Sequence, residues 1–248
     1  MAKNKSKALG RRQRLVIDRG VRWAVQIAFF VAFPAVFSAA FSGVKYVFTQ
    51  IGAMQPVSLS AFVTTLLAAL AFTVVFGRFF CGYACAFGTL GDALFTVSTP
   101  VRKKLGIGKK KPLLPAGMQR ALQLLKYVVL VVICVLCFAG VWPGVSGYSP
   151  WTAFAGIVAG NVDGISVGAF VVLGVIAVGM LFVERFFCQF LCPLGAVFSL
   201  LPVLPFSAFR RDATRCAKGC GLCKRSCPVS VSPDPDAFAA GECISCGR

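Results

Sequence analysis

The chain has no histidine, and that absence removes whole chemistries. Histidine-ligated haem, Rieske-type ligation and imidazole acid–base catalysis all need a ring that this sequence lacks. It also has no Walker phosphate loop and no dinucleotide fingerprint, so ATP hydrolysis and NAD binding in the usual fold are excluded for this chain. Acidic residues are scarce, eight against 26 Lys and Arg, for a formal net charge of +18. Positive charge is itself missing from one region: residues 143–164 carry no Lys or Arg. No cleavable signal peptide is expected, because the first apolar run is too long and has no small-residue cleavage site. Arg11-Arg12 reads as a cytoplasmic anchor rather than an export signal.

What the chain has in excess is apolar surface. Hydrophobic residues make up 58% of it and the mean hydropathy is +0.81, above a soluble domain's usual share. Runs at 21–43, 57–76, 121–142 and 165–183 approach or exceed the roughly 20 helical residues that cross ~30 Å of hydrocarbon. Lipid offers backbone groups no partners, and these runs lack the alternation of barrel strands, so helices are expected. Pro34 should kink the first. The cations follow the same plan. Eight lie between Lys3 and Arg22, eight between Arg102 and Lys126, and seven from Arg210 onward. Arg78 and Arg185 share that side, and only Lys45 falls on the other. The positive-inside rule then puts both termini and the middle loop in the cytoplasm of a multi-pass inner-membrane protein. Anionic lipid is the expected partner of this charge, not nucleic acid.

Ten of the twelve cysteines fall in two spaced pairs and a C-terminal cluster of six. Arg78-Phe79-Phe80-Cys81-x3-Cys85-Ala86-Phe87-Gly88 and Arg185-Phe186-Phe187-Cys188-x3-Cys192-Pro193-Leu194-Gly195 match each other 107 positions apart, each closing a two-span unit. This is an internal repeat with both halves in the same topology, related by an axis along the membrane normal. Cys81, Cys85, Cys188 and Cys192 then share one face, as cluster ligands, as redox dithiols or as packing residues. Spacing i,i+4 on a helix would put each pair on one side. Arg78 and Arg185 either offset thiolate charge or snorkel to the interface. Asp92 and Glu184 are the acids nearest this face and are candidates for handling quinol protons. Segments 86–100 and 189–209 read as interfacial or re-entrant helices over the cysteines. Cys134 and Cys137 read as buried apolar thiols.

The C-terminal cluster is the most specific. Cys216-x3-Cys220-x2-Cys223-x3-Cys227-Pro228 matches an iron–sulfur run with one inserted residue. Glu242-Cys243-x2-Cys246 opens a second run that then breaks off, so the sequence reads as ending early. All-thiolate ligation followed by Pro favours an iron–sulfur cluster over zinc. The expected fold is an all-α polytopic membrane protein of four transmembrane helices in two parallel two-helix repeats, with a small C-terminal ferredoxin-like module. The units are a basic N-terminus 1–20, a first repeat 21–100, a basic linker 101–120, a second repeat 121–209 and the iron–sulfur module 210–248.

With these motifs the chain resembles the ferredoxin-type membrane proteins of periplasmic nitrate-reductase systems. The same family includes the methylamine-utilisation ferredoxin-type protein and the membrane half of the nitrous-oxide-reductase regulator. The resemblance implies one or two [4Fe-4S] clusters, with quinone as a candidate cofactor. It also implies a quinol dehydrogenase-like electron-transfer subunit serving redox partner proteins rather than a stand-alone enzyme. The alternative is a non-catalytic maturation, regulatory or anchoring subunit. Ala86 departs from the Pro that the family pattern places after Cys85.

Overall fold

A computed structural model describes residues 2–106, 116–202, 227–229 and 241–244. All regular structure among them is helical. Helix α1 (Ala2–Ala32) and α2 (Val36–Gly52) are separated by the break at Pro34, with a bend of 61° between their apolar parts. Proline has no N–H to give and crowds the preceding turn, so the run 21–43 is a broken pair rather than one rod. Helix α3 (Ala61–Phe76) stops at Gly77, whose φ of +68° no β-carbon favours. A π-helical turn, Phe80–Ala84, leads into α4 (Ala86–Lys104).

The second half repeats the plan at the 107-residue offset. Helix α5 (Ala116–Phe138) corresponds to α1, and α6 (Trp142–Val145) with α7 (Pro150–Ala159) corresponds to α2. Helix α8 (Val167–Phe182) matches α3 and begins at Ser166, whose hydroxyl accepts the Gly168 N–H. Helices α9 (Phe186–Phe190) and α10 (Pro193–Leu200) match the π turn and α4. The halves interlock: α2 packs on α3 and on α5, and α4 of the first half lies against α8 of the second. Their shared core is aromatic, with Phe37, Phe41, Phe87, Phe187 and Phe198 all nearly inaccessible.

Around this core the apolar surface faces outward. Val128, Val131 and Val135 on α5 and Val171, Val175 and Val178 on α8 are each more than half exposed. A continuous apolar outer face suits lipid contact. Among the described residues, however, only Gly117–Phe138 is long and apolar enough to cross a membrane by itself, and the bent α1–α2 pair makes a second. Helices α3 and α8 have 16 residues each, short of the expected span. The segment after Cys85 is a full 19-residue helix whose N-terminal half is buried.

Candidate functional site

Each cysteine pair is placed by the same local device. The Cys85 N–H bonds Phe80 O at 3.0 Å, and the Cys192 N–H bonds Phe187 O at 2.9 Å, an i→i−5 closure in both halves. The second cysteine then turns extended (φ −74°, ψ 120° at Cys85; φ −74°, ψ 108° at Cys192) and becomes the N-cap of the next helix. The two thiols of a pair therefore do not share one continuous helix, as i,i+4 spacing suggests; a tightened turn and a helix start hold them. At Cys192 the sulfur accepts the Gly195 N–H at 3.1 Å, whereas Cys85 caps its helix without such a side-chain bond. A helix N-terminus favours negative charge on both sulfurs.

The repeat interface brings all four together. Cys81, Cys85, Cys188 and Cys192 line one buried cavity of about 10 Å³, closed by Phe37, Phe80 and Phe198. Burial, reinforced by the neighbouring sulfurs, pushes the Cys85 and Cys192 thiols far up. Burial also pushes Cys188 up to about 11, against the pull of Arg185. Cys85, Cys188 and Cys192 so placed ionise together only against a positive counter-charge such as a metal centre. The space between the sulfurs as they stand is about that of one water. Among the described residues no three cysteine or carboxylate side chains are arranged to chelate a single metal ion. An iron–sulfur cluster asks for a different arrangement, with one thiolate per iron spread around a larger core, and this donor set fits it.

The arginines of the motif are buried, not snorkelling: Arg78 is 2% and Arg185 1% exposed. They are exchanged between halves. Arg185 of the second half reaches the first, donating to Cys81 O, to Gly82 O at 3.1 Å and to both carboxylate oxygens of Asp92 at 3.0 and 2.8 Å. It lies so close to Gly88 that a β-carbon there would meet its guanidinium at 2.9 Å. Reciprocally, Arg78 of the first half lies against Gly195 of the second, where a β-carbon would meet it at 3.1 Å. The terminal glycine of each motif is thus the seat of the other half's arginine. Asp92 also receives Arg22 at 2.7 Å and Gln26 at 2.9 Å from α1. Burial opposes its ionisation, but Arg185, then Arg22 and Gln26, outweigh that and hold its carboxyl below the usual range. Asp92 is the hub of an ion-pair network.

The described parts of the tail dock on the same site. Gln189, inside the second motif, donates to Pro228 O at 2.9 Å. Arg78 donates to Gly241 O at 2.7 Å, and Lys126, Tyr127 and Arg78 surround the Glu242 carboxylate. Val229 and Ile244 are buried in the core cluster that holds Cys188 and Cys192. Cys227 and Cys243 are part-buried beside these anchors. Cys216, Cys220, Cys223 and Cys246 lie outside the described residues. Cys134 and Cys137 sit on α5 and do not line the thiol cavity. Arg22, Gln26 and Lys126 carry no motif, and Glu242 is visible in the sequence only as the residue before the second cysteine run. The one available hint was that charge is rare within apolar segments.

Comparison with known proteins points to the same cysteines. The 4Fe-4S binding domain family matches residues 59–108 and 165–206, the two segments that hold the cysteine pairs. An uncharacterised protein of Methanocaldococcus jannaschii is 30% identical over 186 residues, covering 75% of this chain and 65% of that protein. The regulatory protein NosR of Pseudomonas aeruginosa is 25% identical over 167 residues, 67% of this chain but 22% of NosR. The putative electron transport protein YccM of Escherichia coli is 33% identical over 60 residues, 24% of this chain and 16% of YccM. The chain thus spans just under two thirds of the first relative and a small part of the other two. No solved structure matches.

Proposed function

From the premise that this chain is a ferredoxin-type 4Fe-4S protein, with that domain matched at the cysteine end of each half, we propose that it is a membrane-bound electron carrier. It relays electrons between quinol or a cytoplasmic donor and a reductase partner in or beyond the membrane. The observation that carries this reading is the convergence of four buried thiols from two repeats on one cavity. Cys81, Cys85, Cys188 and Cys192 hold a [4Fe-4S] cluster there, and the tail cysteines Cys216, Cys220, Cys223, Cys227, Cys243 and Cys246 serve the ferredoxin-like module. A bound cluster supplies the one-electron chemistry that the side chains lack. The chain's own part is to exclude water, fix the sulfurs at helix starts and offset their charge with Arg78 and Arg185.

A second cavity, of about 440 Å³, supports the quinone end of the relay. It lies between α2 and α7, with Phe41 and Trp151 in its wall. Ser38 Oγ and Trp151 Nε1, both in that lining, are buried without a protein hydrogen-bond partner, which suits ring carbonyls. From Trp151 the rings of Phe187, Phe87 and Phe37 follow at centroid separations of 6.3, 4.7 and 5.3 Å, and Phe37 lines the thiol cavity. We place the membrane around α1–α2, α3, α5 and α8 as four spans, the short ones crossing with their flanks or by local thinning. Termini and middle loop are then cytoplasmic.

The test is anaerobic purification with iron and acid-labile sulfide analysis, then EPR after dithionite and after quinol. Iron and sulfide in cluster proportion and a quinol-reducible signal are expected, and Cys81→Ser should lower the iron content by one cluster. Iron-free, colourless protein overturns the reading. A regulatory role, favoured by the likeness to NosR, is the outcome if the cluster is present but quinol never reduces it.

A further inference from the structure

The two halves treat their exchanged arginines alike except in one respect. In the first half, Asp92 receives Arg185 from the other half and Arg22 from the preceding helix α1. At the 107-residue offset, Asp92 falls on Ser199, which has no charge. The second half therefore has the cations without the acid. Arg78 takes the place of Arg185, and the second cation is Lys126 on α5, the counterpart of α1, one turn before the offset position of Arg22 at Val129. Lys126 is wholly buried at 0% exposure. An unpaired ammonium at such depth is strongly disfavoured.

Glu242 supplies the missing acid from the tail. Its carboxylate contacts Lys126 Nζ with both oxygens, accepts Tyr127 OH at 3.2 Å and lies 3.5 Å from Arg78 Nη1. Tyr127 OH is in turn 2.8 Å from Ser199 Oγ, so the uncharged equivalent of Asp92 helps to frame the socket. The backbone is read as well. Arg78 binds Gly241 O, and a β-carbon at 241 would meet Ser199 O at 2.1 Å, so only glycine approaches this closely. The socket recognises a Gly-Glu dipeptide entering along the chain, with Ile244 buried two residues later.

We propose that Arg78, Lys126, Tyr127 and Ser199 form a carboxylate socket whose ligand in cis is Glu242, and that its occupancy fixes the tail against the thiol cavity. Arg78 belongs to both places: it lines the cavity and holds Gly241–Glu242. Cys243, next in sequence, follows directly on the held dipeptide and is half-buried. Glu242 is thus a positioning residue that couples the tail to the buried sulfurs. The electronic meaning of that coupling rests on the relay proposed above; the docking itself does not.

The experiment uses the full chain, purified anaerobically and held in lipid nanodiscs. Trypsin cleavage at Lys224–Arg225 is timed for wild type, Glu242→Ala and the double variant Lys126→Met/Glu242→Ala. Removing one partner of a buried pair should speed tail cleavage by about 100-fold. The double variant removes both charges and should keep the repeats folded, with the tail still cleaved quickly. A tail equally protected in all three proteins overturns the socket. In iron-loaded protein, Glu242→Ala should also abolish magnetic interaction between tail and buried centres at unchanged iron content; interaction of wild-type strength overturns it too. Iron-free wild-type protein with Glu242-dependent protection sinks the relay and leaves the socket standing.

Discussion

At the scale of single residues, the site depends on charges that leave one another no freedom. Asp92 neutralises Arg185 and Arg22, each nearly inaccessible, so removing its charge takes the carboxylate partner from a fully buried guanidinium at Arg185. Asp92→Asn should cost about 3–5 kcal/mol, read as loss of helicity on heating, with α1 released first. The pH dependence has a definite sign. The folded-state pKa of Asp92 is lowered, so its stabilisation is complete above the ordinary carboxylate range and is lost as pH falls through the depressed value. Acidification should therefore loosen α1, and mild alkali should not; Trp23, beside Arg22, reports this by fluorescence. None of this was legible from sequence. Asp92 stands 70 residues from Arg22 and 93 from Arg185, and no periodicity encodes such a pairing. Gly88 and Gly195 were visible as motif positions, but their role requires seeing the other half's arginine above them.

Among elements, the two cysteine turns are equivalent although their sequences differ. The missing proline at position 86 weakens the match on paper. The structure gives Cys85 the same extended backbone that Cys192 has ahead of Pro193, and Ala86 occupies the same first helical position. Proline is favoured there, where an N–H has no helical partner, and it wants an extended residue before it. Ala86→Pro should therefore be accepted, and should raise stability by about 0.4–1 kcal/mol through the unfolded chain. A shift in thermal midpoint measures this; a marked loss would mean that the turns differ more than their dihedral angles do. The break at Pro34 was legible because proline's defect is local. The i→i−5 closures were not, since spacing alone reads as an ordinary helix face.

At the scale of the whole molecule, the repeat was the part most open to sequence reading, because a duplicated motif announces a duplicated unit wherever it folds. What duplication does not reveal is where symmetry fails, and here it fails at Ser199, where an external carboxylate is required. The molecule is polar along the repeat axis. The thiol cavity, both ion-pair networks and the docked tail gather around the motif ends of the halves. The 440 Å³ cavity runs along α2 from Ser38, beside Phe37, to Lys45, which is eight residues or about 12 Å of helical rise beyond Phe37. On the orientation proposed above, the positive-inside rule puts the motif end, with Arg78 and Arg185, on the cytoplasmic side and the cation-free stretch 143–164 on the other. Trypsin added to inverted inner-membrane vesicles should therefore cut the tail, and intact spheroplasts should protect it. Glu242→Ala should widen that difference, since it exposes the tail without changing the side on which it lies. Cleavage from the spheroplast side would reverse the molecule, place the thiol cavity outside, and require its electrons to come from an extracytoplasmic donor.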